Sequence, residues 1–273
     1  MSATTSAVAA DRPRTRRDAP AEPIRPIPLS RVISVELRKM FDTRSGFWLM
    51  ASIAIAAVLA TGAVILFAPD RGVKYSNFAA AIGFPMAVIL PMVAVLSVTS
   101  EWSQRSGLTT FTLVPHRGRV VLAKAVATIG VAVASMVLAL VIGALGNVLG
   151  SAVNGVDTRW DSSLLTFLDI VLGNILGLLI GFMLGVLIRN SAGAIVGYFV
   201  FSFVLPTLSG LLAANADWFH RLQPWVDFNV AQGALFSGDL TGRQWAHLGV
   251  SSIIWLIIPL AVGVRQVLRS EVK

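Results

Sequence analysis

The stretch SEWSQRSGLTTFTLVPHRGRVVLAK, residues 100–124, is a conspicuously polar insert between two long apolar runs. Within it Glu101 and Arg105 are four residues apart, so on a helix their side chains face the same way and can pair. Gly107 ends this turn, and Pro115 prevents the helix from continuing. The stretch therefore predicts a short helix followed by a fixed corner.

The length of this insert indicates a surface for a partner. A connector that only joins two membrane helices needs a few polar residues, whereas residues 100–124 carry a longer series of helix and turn signals. The alternative is a solvated loop whose basic residues only mark one side of a membrane. Residue types and spacing leave both interpretations open.

The composition identifies the class of protein. Hydrophobic residues make up 55% of the 273 residues and charged residues only 13%, whereas soluble domains have about 25% charged residues. The absence of cysteine excludes a disulfide framework, a thiolate metal site and a lipidated cysteine anchor. The net charge of +8 is sorted by membrane side, so no nucleic-acid partner is expected. The chain is predicted to be a polytopic membrane protein.

Six apolar runs are each long enough to cross a hydrocarbon core of about 30 Å. They lie near residues 47–67, 78–99, 120–149, 164–188, 191–213 and 245–264. An even number of spans puts both termini on one side, and 17 of the 22 Lys and Arg residues fall there. The positive-inside rule then predicts cytoplasmic termini, and we expect a multi-pass protein of the plasma (inner) membrane. The predicted fold class is an all-α membrane protein with six transmembrane helices.

The N-terminal part divides into a tail and an amphipathic helix. Residues 1–28 are rich in Ala, Pro, Arg and Thr and predict a disordered cytoplasmic tail, so the membrane domain covers 29–273. In residues 29–41 apolar side chains recur at helical spacing, which predicts a helix lying in the membrane interface. Glu36 falls inside the apolar arc, where an unpaired carboxylate is costly, so we expect it to have a partner. A snorkelling side chain at the lipid headgroups is the alternative.

The fourth apolar run carries three consecutive Gly-x-x-x-Gly units, which let another helix backbone approach closely. The glycines are Gly173, Gly177, Gly181 and Gly185. Asp169 and Asn174 project within the same arc and are therefore expected to face protein or a cavity. Asn174 lies ~15 Å from the start of the run, near the middle of the membrane. It is predicted either to hydrogen bond between helices or to contact a transported molecule. Asp169, about half as deep, is the second candidate for such a pathway, and the alternative is that it only reaches the outer water.

The motif inventory argues against catalysis by this chain. No Gly-x-x-x-x-Gly-Lys-Ser/Thr phosphate-binding loop is present, so the chain is not expected to bind ATP. His116, His220 and His247 are scattered without metal-ligand spacing, and no Gly-x-Ser-x-Gly nucleophile motif occurs. We therefore predict that the chain is not an enzyme and binds no cofactor itself.

Residues 100–124 resemble the loop between the second and third spans of the permease subunits of type-two ABC exporters. That loop reads Glu, a basic residue, Gly, Thr, Leu, Pro, a basic residue and a Lys that opens the third span. The matching positions are Glu101, Arg105, Gly107, Thr109 or Thr110, Leu113, Pro115, Arg117 or Arg119, and Lys124. The resemblance implies that the loop is a coupling helix docked in a groove of a separate ATPase subunit. The residues assigned to this coupling are Glu101, Trp102, Arg105, Gly107, Thr110, Phe111, Leu113, Pro115 and Arg117.

Two further regions resemble the same family. These permeases begin with an interfacial elbow helix that carries a Glu followed closely by a Lys, here Glu36 and Lys39, and they have short interfacial helices before the sixth span, here within 214–242. The resemblance implies a permease subunit of an ATP-driven exporter, paired with a second copy or a similar permease and with an ATPase that hydrolyses ATP. An ATPase-independent transporter or channel, or a scaffold or sensor that transports nothing, remains the alternative.

Overall fold

The computed structural model describes residues 27–42, 44–103, 117–238 and 240–269, and their regular structure is helical, with no strand. The helices are α1 Leu29–Asp42, α2 Arg44–Phe67, α3 Tyr75–Ser103, α4 Arg117–Asn154, α5 Leu164–Ile188, α6 Ser191–Asn215, α7 Asp217–Val226, α8 Phe228–Gly233 and α9 Gly242–Arg269. Short 3₁₀ turns occur at Asp70–Gly72 and Ala234–Phe236.

Six of these helices, namely α2, α3, α4, α5, α6 and α9, are long and apolar enough to cross a membrane. This confirms the predicted number of spans and fits a multi-pass membrane protein. Helix α5 coincides with the predicted run 164–188, whereas α3 and α4 extend into the polar insert, to Ser103 and from Arg117. Their extra turns are stabilised by contacts that the apolar pattern does not reveal.

The centre of the bundle is the pair formed by α3 and α5. Gly181 lies against α3 so closely that a Cβ built there would be 2.6 Å from the carbonyl oxygen of Pro91. A Cβ on Gly185 would lie 3.2 Å from the Cβ of Val98. The four glycines of α5 form a groove, and its half at Gly181 and Gly185 is therefore filled by α3 of the same chain. Such close packing of two helices occurs where the residues between them are small.

The other two glycines of the groove face the short helices that precede α9. A Cβ on Gly173 would lie 2.8 Å from the ring of Phe236, and one on Gly177 would lie 3.3 Å from the side-chain nitrogen of Gln232. The whole stripe thus packs inside one chain. It supplies no argument for association with a second copy.

Helices α6 and α9 each contain one wide π-helical turn, at Val200–Val204 and Ile253–Ile257. The turns adjoin each other, since the rings of Phe201 and Trp255 are 5.4 Å apart. The carbonyl oxygen of Phe201 accepts a hydrogen bond from Asn229 Nδ2 at 3.0 Å. Such turns interrupt the regular hydrogen-bond ladder of a helix and often occur at functional sites.

At the end of the bundle where α3 begins, Asp161 joins this helix to the segment before α5. Its carboxylate accepts hydrogen bonds from the backbone N and the Oγ of Ser76 at 2.8 and 2.7 Å, and it pairs with Lys74 at 3.0 Å. Burial raises the pKa of Asp161, but the Ser76 hydrogen bonds and the Lys74 charge outweigh this, so the pKa is lowered overall. A lowered folded-state pKa stabilises the fold above the unfolded pKa, and this stabilisation is lost as the pH falls through the folded pKa.

We expect Asp161→Asn to destabilise the protein by at most about 1 kcal/mol, because the pair is largely solvated. The difference from wild type should be constant between pH 5 and 8 and should shrink below about pH 4. Melting temperatures measured across this pH range test it, with the exposed Asp157→Asn as the matched control. A difference that persists unchanged at pH 3 would show that the carboxylate charge is not responsible.

Candidate functional site: a buried ion-pair cluster

The candidate site begins with the buried stripe of α1. Val32, Glu36 and Met40 are spaced by four residues and are the buried positions of this helix. Glu36 is 3% exposed and lies on the buried face of α1, a helix that packs against α4. A carboxylate in that position requires charged or hydrogen-bonding partners.

Lys124, about two turns into α4, supplies the main partner. Its Nζ lies 2.5 Å from Glu36 Oε2 and 3.3 Å from Glu101 Oε1, in the last turn of α3. It also donates a hydrogen bond to the carbonyl oxygen of Ser97 at 3.0 Å. The Lys124 side chain is only 4% exposed, so α1, α3 and α4 meet at one buried ammonium group.

Lys39 completes the arrangement from the solvent side. Its Nζ is 2.8 Å from Glu36 Oε1 and 3.5 Å from Glu101 Oε1, and its side chain is 44% exposed. Glu36, Lys39, Glu101 and Lys124 thus form a neutral set of two carboxylates and two ammonium groups, which we call the four-charge cluster. Neutrality and mutual hydrogen bonding are the conditions under which buried charges are tolerated.

The cluster keeps Lys39 charged. Burial lowers the pKa of Lys39, but the hydrogen bond and charge of Glu36 and the charge of Glu101 more than offset this, so the pKa is raised overall. A raised lysine pKa stabilises the fold below the unfolded pKa, and this stabilisation is lost only as the pH rises through the folded value. The cluster therefore does not switch in the neutral pH range through Lys39.

The predicted partner of Glu36 is confirmed, because Lys124 and Lys39 both pair with it. Sequence reasoning missed Lys124 as that partner, since the two residues are 88 positions apart. The signal that could have found it was the coincidence of one carboxylate on the apolar face of a helix and one lysine at the end of an apolar run.

The coupling residues assigned from the sequence fall into three groups. Glu101 is 4% exposed and pairs with Lys124 and Lys39, so it does not present the exposed contact that was expected. The reason is that α3 continues to Ser103 and turns Glu101 toward α1 and α4. Trp102 is half-buried and packs against the central core, and Arg117 is the first residue of α4. The others lie outside the described residues: Arg105, Gly107, Thr110, Phe111, Leu113 and Pro115.

The two predicted pathway residues, Asn174 and Asp169, do not line the same cavity. Asn174 is 3% exposed, and its Nδ2 donates to the Ile170 carbonyl oxygen at 2.9 Å, whereas its Oδ1 accepts no hydrogen bond from any described residue. Asn174 lines a cavity to which Asp169 does not contribute. Within the described ranges, no three acidic or histidine side chains converge to hold a metal ion.

No protein-family model matches the chain, and no curated protein matches it.

Proposed function

We propose that this chain is the permease subunit of an ATP-driven exporter, working with a separate ATPase subunit that hydrolyses ATP. In this proposal a second copy or a similar permease completes the translocation pathway. The observation that carries it is the four-charge cluster, because it fastens the two helix ends that flank residues 104–116 to α1. A transporter driven by a partner needs such a rigid link between a docking segment and its spans.

The link is mechanical. Glu101 lies just before residues 104–116 and pairs with Lys39 of α1. Lys124 lies shortly after them and pairs with Glu36 of α1 and with Glu101. A displacement of the segment therefore reaches α1, α3 and α4 together. Packed helices with buried polar contacts transmit small displacements because they do not deform continuously. In this proposal 104–116 is the coupling segment and α1 the interfacial elbow helix.

The charge distribution supports a membrane orientation for this proposal. The start of α4 lies beside the end of α9, because a Cβ on Gly118 would be 3.8 Å from Leu268 Cδ2. Helix α1 meets α4 at Lys124, so α1, the start of α4 and the end of α9 lie at one end of the bundle, and most Lys and Arg residues of the described ranges belong to this end. We propose that this end is cytoplasmic and that the membrane is the plasma (inner) membrane.

The alternative of an ATPase-independent transporter has less support. Such transporters usually place ionisable side chains or broken helices near the middle of the membrane. Here the buried charges of the described spans, Glu101 and Lys124, lie near helix ends. A scaffold or sensor would share the docking segment but would move no substrate.

The proposal predicts that an ATPase subunit co-purifies with the full chain from native membranes and that its recovery depends on residues 104–116. Leu113→Asp and Arg105→Glu should each reduce recovery by 30-fold or more, because an unpaired charge at a buried interface costs about 2–5 kcal/mol. Recovery is measured as ATPase per amount of membrane-inserted chain. Glu101→Lys is unsuitable, because Glu101 is buried within the chain and its reversal would perturb the fold.

Arg71→Glu is the matched control, since Arg71 lies in an exposed turn at the opposite end of the bundle. It should leave recovery of the ATPase unchanged. If no ATPase co-purifies, or if all three variants recover equal amounts, residues 104–116 are a solvated loop and the permease proposal fails. An ATPase that binds without any transport in reconstituted vesicles would favour the sensor.

A further inference from the structure

Two proline residues explain the wide turns in α6 and α9. Pro206 and Pro259 each follow the last residue of a π-helical turn by two positions. In a regular α-helix a proline ring clashes with the carbonyl group four residues earlier. These carbonyl groups belong to Ser202 and Trp255, which lie inside the two turns, so a wide turn at each place makes room for the ring. Two adjoining helices therefore share one irregularity at the same level of the bundle.

The proline in α6 also leaves a backbone acceptor without a donor from its own helix. The N–H of Leu205 bonds to the carbonyl oxygen of Val200, five residues earlier. Pro206 has no N–H, so the next carbonyl oxygen, that of Phe201, lacks the donor that would follow in this ladder. Asn229 Nδ2 of α8 supplies one at 3.0 Å. Interruptions of this kind are the places where long helices bend.

The chain between the two turns, residues 205–238 and 240–252, folds back on itself as one unit, which we call the outer segment. Its internal contacts join α6 to α7, α7 to α9, and α8 to α9. They are the hydrogen bond from Gln223 Nε2 to Ser209 Oγ at 3.1 Å, the ring pair of Trp225 and His247 at 4.4 Å, and the buried cluster of Ala231, Leu235 and Leu248. Because these contacts tie every helix of the outer segment to another, its parts hold one another in place.

The junction between α7 and α8 contacts both π-helical turns. The carbonyl oxygen of Val226 accepts a hydrogen bond from Trp255 Nε1, in the turn of α9, at 2.6 Å. Asn229 donates to Phe201 in the turn of α6, and the ring of Phe228 lies 5.9 Å from the ring of Phe201. One short stretch of the outer segment is thus bound to both turns, so a bend at one turn displaces the other.

The outer segment covers a cavity of about 180 Å³. Phe228, Asn229 and Gln232 form part of its wall, and α3 and α5 form the opposite part. Gln232 Nε2 donates to the carbonyl oxygen of Gly173 in α5 at 2.7 Å, and the ring of Phe236 packs on the same glycine. These contacts hold the wall of the outer segment against α5. A tilt at the π-helical turns would break or tighten them and so change the width of the cavity.

We propose that the outer segment moves as one body about a hinge formed by the two π-helical turns, and that this motion opens and closes the cavity. Hinges are a few residues that absorb a change in backbone angles while the bodies on either side keep their packing. The part of α6 beyond its turn, Leu205–Asn215, has 11 residues and is ~16 Å long. A tilt of about 20°, the size of a helix kink, moves its end by about 5 Å.

This motion belongs to the single chain and needs neither the ATPase nor transport. An outer segment found to be fixed would leave the coupling proposal intact. Loss of the ATPase from the pull-down would leave the hinge intact.

The chain contains no cysteine, so pairs of introduced cysteines can be spin-labelled without background. The purified full chain is reconstituted in nanodiscs, and distances between labels are measured by electron paramagnetic resonance. Ala80→Cys in α3 with Val230→Cys in α8 reports the separation of the two walls, since both positions are exposed and neither lines the cavity. Ala80→Cys with Val153→Cys measures the bundle alone, and Val230→Cys with Arg243→Cys measures the outer segment alone. We expect two distance populations about 5 Å apart for the first pair and one population for each of the others.

The hydrogen bond of Gln232 should set the balance between the two populations. Gln232→Leu removes the bond to Gly173 and should raise the ratio of open to closed protein about 2- to 10-fold, as the loss of one hydrogen bond allows. Gln223→Leu is the matched control, because it removes a hydrogen bond inside the outer segment and should leave the ratio unchanged.

The prolines locate the hinge. Pro206→Ala with Pro259→Ala restores two N–H donors and should reduce the first label pair to one population, also in the presence of Gln232→Leu. Each single proline variant should have a smaller effect in the same direction, so the hinge is tested even if the double variant fails to fold. Pro85→Ala, in α3 away from the two turns, is the control and should change neither population.

Three results would overturn the inference. A single population for the first label pair in both wild type and Gln232→Leu would show that the outer segment is fixed. Two populations within the outer segment alone would show that it is not one body. Populations that none of the variants at Pro206 and Pro259 alters would show that the π-helical turns are not the hinge.

Discussion

Lys124→Met is expected to lower the free energy of unfolding by about 3–5 kcal/mol, the cost of leaving a buried charge without its partner. The lysine contacts Glu36 at 2.5 Å and Glu101 at 3.3 Å, and all three side chains are at most 5% exposed. Without it two buried carboxylates share only Lys39, which is partly solvated. The measurement is thermal unfolding of the purified full chain, followed by tryptophan fluorescence.

Lys74→Met is the matched control. Lys74 also pairs with a carboxylate, Asp161 at 3.0 Å, but its side chain is 38% exposed. An exposed pair contributes at most about 1 kcal/mol, so this variant should melt close to wild type. Equal destabilisation by the two substitutions would show that the four-charge cluster is not a buried network.

A double variant separates the lost charge pair from lost packing. Glu36→Leu with Lys124→Met removes both partners and leaves Glu101 with Lys39, 3.5 Å away. Replacing a buried ion pair by apolar side chains is often neutral, so the double variant should be more stable than Lys124→Met alone. A coupling energy near zero in this cycle would mean that the two residues do not interact.

The parts of this fold that the sequence predicted depend on local pattern. The number of spans and the bounds of α5 follow from runs of apolar residues, because each run alone decides whether a helix can cross a bilayer. The need of Glu36 for a partner follows from its place in a helical arc. In both cases the physical cause lies within one helix.

The parts that the sequence did not predict depend on contacts between helices. Lys124 becomes the partner of Glu36 only when α1 and α4 are packed together, and Glu101 is buried only because α3 extends past the apolar run. The π-helical turn at Val200–Val204 follows no residue pattern that was recognised. The sequence likewise showed that Gly181 lies on a packing face but not that α3 fills the groove.

Gly181→Leu is expected to destabilise the single chain by about 1–3 kcal/mol or more, the usual cost of overpacking. A Cβ at this position would lie 2.6 Å from the carbonyl oxygen of Pro91 and 2.9 Å from its Cα, and backbone atoms cannot move aside as a flexible side chain can. Helices α3 and α5 would have to separate along the central packing of the bundle. Thermal unfolding of the purified chain, together with its yield in membranes, measures this.

Gly130→Leu is the matched control, because it makes the same change in the spanning helix α4 where no atom lies within 4 Å of an added Cβ. It should leave the melting temperature close to wild type. The pair of variants also distinguishes internal packing from association between chains. If the glycine groove were an interface between two copies, Gly181→Leu would dissociate the copies and leave the unfolding of the single chain unchanged. Because α3 already occupies the groove at Pro91, we expect the loss to appear in unfolding of the single chain itself.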